Sequence, residues 1–182
     1  TRSGDTWTEQ KVTASDPDAS DQFGYSVSID GDNAIVGAWQ AESQDGAAYI
    51  FKRSDASNVW DHHQKLVASG PSTFFGKSVF ISDNYAVVGV VDEKDENGDS
   101  FNGYASGSAY IFQRSEESWE KLKILRAYDA LEQDAFGMSV SHSGEYTIVG
   151  APYADDNGDY SGSAYIYSQA FSDIATSSFL TF

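Results

Sequence analysis

The sequence predicts an all-β protein built from propeller-type blades. Three observations support this fold class: one segment occurs three times, its apolar residues alternate with polar ones, and no window predicts an α-helix of normal length. The 182 residues suffice for one domain with a hydrophobic core. Four-stranded antiparallel sheets that recur along a chain are typical of propeller blades, which bury their faces against one another.

The first half of each repeat begins with Phe-Gly and ends with Val-Gly. Its copies align without a gap and are FGYSVSIDGDNAIVG from Phe23, FGKSVFISDNYAVVG from Phe75 and FGMSVSHSGEYTIVG from Phe136. In the first copy, apolar or aromatic side chains alternate with Ser26 and Ser28, which is the period of a strand with one buried face. We interpret each copy as two antiparallel strands, a and b.

The second half of each repeat supplies two more strands, c and d. The c strands are GAAYIF from Gly46, GSAYIF from Gly107 and GSAYIY from Gly162. The d strands begin with tryptophan and are WTEQKV from Trp7, WDHHQKL from Trp60 and WEKLKIL from Trp119. One d strand therefore precedes the first a strand, and no d strand follows the third c strand. This order is expected when a ring closes by combining strands from two chain ends.

These strands divide the chain into three four-stranded antiparallel blades and a tail. The predicted blades span about 15–67, 68–125 and 126–169, with 7–13 as a closing strand. Residues 170–182 match no strand of the repeat; we expect a swapped arm, a cover for a sheet edge or the start of a further segment, and their apolar side chains favour contact with a partner. Because known rings have four to eight blades, we expect either part of a longer propeller or half of a six-bladed ring formed by two chains.

Charge and composition argue against several classes of partner. Acidic residues outnumber basic ones 28 to 11, and the resulting net charge of −17 repels nucleic acids and anionic lipids. The absence of cysteine excludes disulfides, thiolate zinc sites and cysteine nucleophiles. No apolar run approaches the length of a membrane-spanning helix, so membrane insertion is not expected.

The sequence does not predict an enzyme. The three histidines are His62, His63 and His142. His142 aligns with Ile29 and Ile81, which favours a structural role, and the adjacent pair alternates between the two faces of a strand. The serines match no nucleophile elbow, and carboxylate pairs for glycoside hydrolysis are expected by chance among 28 acidic residues.

The Phe-Gly starts and the Gly-Ala-Pro at 150–152 resemble the FG-GAP repeat, the blade unit of integrin alpha-chain propellers and of many bacterial and algal surface proteins. The segment SGSAYIF at 106–112 is similar to the form found in secreted multi-repeat proteins. The resemblance covers about residues 7–167. It implies a propeller fold and an extracellular or cell-surface location.

The resemblance also implies calcium sites in the loops that join strands b and c. Calcium takes six to eight oxygen ligands, which alternating side chains of a tight loop can supply. The candidate ligands are Asp95, Asn97 and Asp99 in the second loop and Asp155, Asn157 and Asp159 in the third. The first loop lacks this pattern. Alternatively, the Asn-Gly pairs in these loops form tight turns that the carboxylates solvate.

Aromatic residues of the same loops are candidates for partner contact, since protein anchors and sugar rings both pack on them. They are Trp39, Tyr104, Tyr153 and Tyr160. Together with the resemblance, they predict a non-enzymatic, calcium-binding extracellular module for recognition, adhesion or assembly. Its expected partner is another protein or a second copy of the chain, as a homodimer. The alternative is a lectin-like, carbohydrate-binding propeller; a glycoside hydrolase ranks third.

Overall fold

The predicted all-β fold is confirmed by the structure, a computed structural model. The structure describes residues 7–69, 72–93, 106–131, 133–156 and 158–169. Within these ranges the regular structure consists of strands and one 3₁₀ turn, Glu42–Gln44. The predicted C-terminal arm lies outside the described residues.

Three sheets form the blades. Blade 1 has the strands β1 (Ser26–Asp30), β2 (Asn33–Ala38), β3 (Ala47–Arg53) and β4 (Trp60–Leu66), each antiparallel to its neighbour. A short pair, β5 (Ser72–Thr73) with β8 (Asp92–Glu93), flanks blade 2. Blade 2 itself contains β6 (Ser78–Ser82), β7 (Tyr85–Val90), β9 (Ser108–Ser115) and β10 (Ser118–Leu125).

Blade 3 contains three strands among the described residues, corresponding to a, b and c. They are β11 (Ser139–Ser143), β12 (Tyr146–Ala151) and β13 (Ser163–Ser168), in that order across the sheet. The d strand that completes blades 1 and 2 has no counterpart beside β13 in the described part of the chain. This agrees with the strand order of the sequence.

The blades pack face to face. We call the side that carries the tyrosine of strand c (Tyr49, Tyr110, Tyr165) the front face, and the side that carries the following isoleucine (Ile50, Ile111, Ile166) the back face. The back face of blade 1 and the front face of blade 2 share one buried cluster, and blades 2 and 3 share another. Repetition of one interface therefore builds the core.

The Phe-Gly turn sits at the centre of each interface. Phe75 and Phe136 are fully buried, and the glycines that follow them have φ angles of +88° and +94°. The amide of Gly76 donates to the carbonyl of Gly89, which belongs to strand b of the same blade, at 3.1 Å. A positive φ of this size is strained for a residue with a Cβ, so glycine is required here.

A glutamine side chain joins the outer strands of neighbouring blades. Gln64 in β4 donates from Nε2 to the carbonyl of Trp119 at 2.9 Å, and the Trp119 amide donates to Gln64 Oε1 at 2.7 Å. Gln10 makes the same two bonds with the backbone of Trp60, at 2.8 and 2.9 Å. We call this arrangement the glutamine clamp.

The predicted strand at 7–13 is not formed in the single chain. These residues have no strand pairing, because the described part of the chain offers no a, b and c strands of a preceding blade beside them. They instead cover the β2 and β3 side of the front face of blade 1, where Val12 and the following Ala14 pack against its core and Gln10 forms its clamp. The segment thus lies against blade 1 as β4 lies against blade 2, while Trp7 is 90% exposed.

Replacement of Gln64 by alanine should destabilise the protein by about 1–3 kcal/mol, since two backbone groups of the buried Trp119 lose their partners. Urea unfolding measures the change. The matched control is Gln113→Ala, an exposed glutamine on β9, for which a change within about 0.5 kcal/mol is expected. Equal effects of the two substitutions would refute the clamp.

Candidate functional site

The loops between strands b and c lie at one end of the blades, which we call the rim. Parallel bridges join Gly46 to Phe75 and Gly107 to Phe136, so the end of each of these loops meets the start of the next blade. The amide of Phe75 donates to the carbonyl of Asp45 at 3.0 Å. The Phe-Gly turn of one blade therefore anchors the rim loop of the blade before it.

The third rim loop is closed by Asp155. Its Oδ1 accepts a hydrogen bond from the amide of Tyr160 at 2.6 Å, and its backbone carbonyl accepts one from Gly158 at 3.1 Å. Gly158 has a φ of +125°, in agreement with a tight turn at this point. The side chains of Asp155 and Asp159 are exposed. One oxygen of Asp155 is thus engaged in shaping the loop.

The described residues bring together no group of three or more His, Asp or Glu side chains that could hold a metal ion. Of the predicted calcium ligands, only Asp155 and Asp159 are described. Both offer the hard oxygen atoms that calcium prefers, so their chemistry fits this ion. Like the predicted contact residue Tyr104, the other predicted ligands lie outside the described residues. These ligands are Asp95, Asn97, Asp99 and Asn157. Calcium binding stays a prediction.

Trp39, a predicted contact residue, is partly buried in a cluster of its own. Lys77 Nζ lies 3.6 Å from the centre of its ring, and the rings of Tyr25 and Phe74 meet it edge-on. The indole Nε1 donates to Gln22 Oε1 at 3.1 Å. The cation and the two rings hold Trp39 in place.

Tyr153 and Tyr160 form a second aromatic group on the third rim loop. Their rings meet edge-to-face with centroids 5.9 Å apart, and both side chains are exposed. With Pro152 and Gln133 they line an open pocket of about 530 Å³. The ring contacts place this pair and Trp39 in separate groups.

A feature that the sequence analysis missed is a carboxylate beside the tyrosine of each c strand. Tyr49 donates to Asp16 at 3.0 Å and Tyr110 donates to Glu93 at 2.5 Å, while Asp129 lies beside Tyr165. Burial, followed by the bond to Glu93, raises the pKa of Tyr110 to about 12. The recurrence of Tyr after Gly-Ala-Ala or Gly-Ser-Ala was a sequence signal for this position, but the carboxylates come from different loops and follow no such pattern.

A basic side chain neutralises the carboxylates in the first two blades. Lys65 on β4 pairs with Asp16 at 2.7 Å and also with Glu42. Arg126 pairs with the buried Glu93 at 2.7 Å. In blade 3 the position equivalent to that of Lys65 would lie on a fourth strand, which the described residues do not supply.

The histidines occupy structural positions. His142 is buried with Nδ1 2.9 Å from Thr147 Oγ1, and its burial lowers its pKa. His63 is the extra residue of a bulge in β4, and His62 packs against the rings of Tyr49 and Phe51. This placement agrees with the structural role predicted for His142.

Comparison with known families identifies the repeat. The FG-GAP repeat family matches residues 7–51, 60–112 and 119–167, so the chain belongs to this family. No curated protein matches the chain. FG-GAP repeats are generally non-enzymatic and are typical of extracellular and surface proteins. The described residues include no helix that is long and apolar enough to cross a membrane.

The family repeat and the structural blade differ in phase by one strand. Each family match begins at the Trp-led segment and ends with strand c. The blade, in contrast, consists of strands a, b and c and the Trp-led strand that follows. The second and third repeats therefore each begin with the strand that completes the blade of the repeat before.

The ion pair between Arg126 and Glu93 should contribute far more to stability than an exposed pair. Arg126→Ala leaves a buried carboxylate without its cation, and we expect a loss of about 3–5 kcal/mol. The matched control is Lys52→Ala, which breaks the exposed pair with Glu117 and should cost at most about 1 kcal/mol. Urea unfolding of both variants measures the difference, and a similar loss in both would contradict the buried role of Glu93.

Proposed function

We propose that the protein is a non-enzymatic extracellular recognition or adhesion module that binds a protein partner through its rim. The observation that carries the proposal is the third rim loop, which presents exposed aromatic and acidic side chains at the end of a rigid blade. Strands of nearly constant length hold rim loops of different length and composition. Such an arrangement lets binding residues vary without altering the scaffold.

Calcium is the cofactor that we propose for the rim. In the third loop Asp155 and Asp159, with Asn157, would supply ligands, and the second loop would contribute Asp95, Asn97 and Asp99. When bound, the ion supplies positive charge that offsets part of the net charge of −17. The hydrogen bond from the Tyr160 amide to Asp155 Oδ1 orients this carboxylate before an ion binds.

The expected consequence is stabilisation by calcium that depends on the rim. Calcium at about 100 times its dissociation constant should stabilise the folded protein by about 2.7 kcal/mol. The double variant Asp155→Asn/Asp159→Asn should reduce this gain, because two charged ligands of the third loop are lost. Thermal unfolding and isothermal titration, with and without a chelator, measure the effect.

A charge-matched control separates ligation from general electrostatics. Asp55→Asn/Asp61→Asn removes the same charge from exposed positions away from the rim. This variant should respond to calcium as the unchanged protein does. If calcium fails to stabilise the unchanged protein, or stabilises all three proteins equally, the proposed site is wrong.

A lectin-like function is the second candidate, favoured by the open pocket beside Tyr153 and Tyr160. Sugar rings pack on exposed aromatic faces, and Gln133 provides a polar group at the same pocket. If this function holds, the protein binds on a glycan array and Tyr153→Ala/Tyr160→Ala abolishes the binding. The control Tyr128→Ala, which changes an exposed tyrosine outside this pocket, preserves it. An array without binding, alongside a stable protein complex, would reject the lectin.

A further inference from the structure

The back face of blade 3 is exposed although its counterparts are buried. Ile35 and Ile50 on the back face of blade 1 are fully buried against blade 2. The aligned residues of blade 3, Ile148 and Ile166, are 43% and 70% exposed. The face is therefore built for an interface that the described residues do not complete.

The front face of blade 1 shows the complementary feature. In blade 2, Val79 and Ile81 are buried in the cluster that also contains Ile35 and Ile50. The aligned residues of blade 1 are Val27 and Ile29, which are 68% and 65% exposed. The back face of blade 3 and the front face of blade 1 therefore carry the same kinds of apolar residue as the two surfaces that meet between blades 1 and 2.

The backbone of blade 3 also leaves room for another Phe-Gly turn. Ser26 donates to the carbonyl of Gly76 in the next blade at 2.8 Å, and a Cβ on Gly37 would clash with that carbonyl. In blade 3 the equivalent positions are Ser139 and Gly150. A Cβ on Gly150 would approach only Ser139 among the described residues.

A pocket of about 380 Å³ lies between blades 2 and 3 at their outer edge. Its lining includes Ile111, Leu125, His142 and Tyr167. Their aligned counterparts one interface earlier share the buried cluster that contains Trp119; they are Ile50, Leu66, Ile81 and Phe112. The pocket therefore occupies the place of a tryptophan that begins a fourth strand.

Charge complementarity indicates which strand belongs there. Asp129 and Asp156 lie near Tyr165 beside a pocket of about 440 Å³. In blade 1 Asp16 bonds to Tyr49, and both Asp16 and Glu42 pair with one cation. Arg126 also borders this pocket, but it is paired with Glu93. In blade 1 the cation is Lys65, which follows the clamp residue Gln64.

Residues 7–12 carry the matching cation. Gln10 forms a clamp as Gln64 does, and Lys11 follows it as Lys65 follows Gln64. When Gln10 is aligned with Gln64, residues 7–12 match β4 except that they lack its bulge residue, His63. Trp7 then takes the position of the tryptophan that begins a d strand, and both Trp7 and Lys11 are exposed in the single chain.

We propose that blade 3 binds blade 1 of a second copy of this chain, whose residues 7–12 become the fourth strand beside β13. Lys11 of that copy then pairs with Asp129 and Asp156, and its Trp7 fills the pocket between blades 2 and 3. The same contact made reciprocally closes a two-fold ring of six blades. Within one chain blade 3 does not meet blade 1, because the back face of blade 3 and the front face of blade 1 are both exposed there.

The test is the mass of the 182-residue chain in solution, measured by light scattering across a concentration series. We expect twice the mass of one chain. Lys11→Glu and Trp7→Ala should each raise the dissociation constant of the dimer by more than about tenfold. Lys121→Glu, the same charge reversal at an exposed position of β10, should leave it unchanged.

Two further variants separate loss of the interface from loss of the fold. Gly150→Ala should weaken the dimer while circular dichroism stays unchanged, because among the described residues the new Cβ would meet only Ser139, whose hydroxyl can rotate away. Lys11→Glu combined with Asp129→Lys/Asp156→Lys should restore the dimer. A monomer at every concentration, an open series of larger masses, or a dimer indifferent to Lys11 and Trp7 would each overturn the proposal. None of these outcomes depends on whether the rim binds calcium.

Discussion

The close backbone contact at the Phe-Gly turn is the constraint on which the blade packing depends. The carbonyl of Gly76 accepts the hydroxyl of Ser26 from the preceding blade at 2.8 Å, and Gly137 accepts that of Ser78 at 2.7 Å. Backbones that approach this closely leave no space for a Cβ on either side. The spacing of the blades is therefore set by main-chain atoms, and side chains elsewhere adjust to it.

Two polar arrangements add to this contact away from the turn. The glutamine clamp ties the outer strands together, and the tyrosine of strand c ties the front face to a carboxylate that a basic residue neutralises. The tyrosine and its carboxylate lie within one repeat, as Tyr110 and Glu93 do, whereas the clamp joins a side chain of one blade to the backbone of the next and so stabilises the stack. This matches repeat architectures in general, in which each unit depends on its neighbours.

The strands and their order were predictable because alternation and the repeated Phe-Gly are local signals. The state of residues 7–13 was not, since a strand needs an adjacent edge and no local pattern reports whether one is present. The partner of Tyr49 was equally hidden, because Asp16 lies in a loop whose path depends on the packing of blade 1. Alternating acidic residues also left the role of Asp155 open; the structure shows one of its oxygens bonded to the Tyr160 amide.

The phase difference between repeat and blade has a consequence for biosynthesis. Because translation runs from the N-terminus, strands a, b and c of a blade emerge before the Trp-led strand that completes it. Until Trp60–Leu66 leave the ribosome, blade 1 presents an unpaired edge, and its apolar back face stays uncovered until blade 2 has followed. Both surfaces promote association with other chains. Each new repeat then covers the edge first and the back face after it, so the most recent blade of a nascent chain is the one that is exposed.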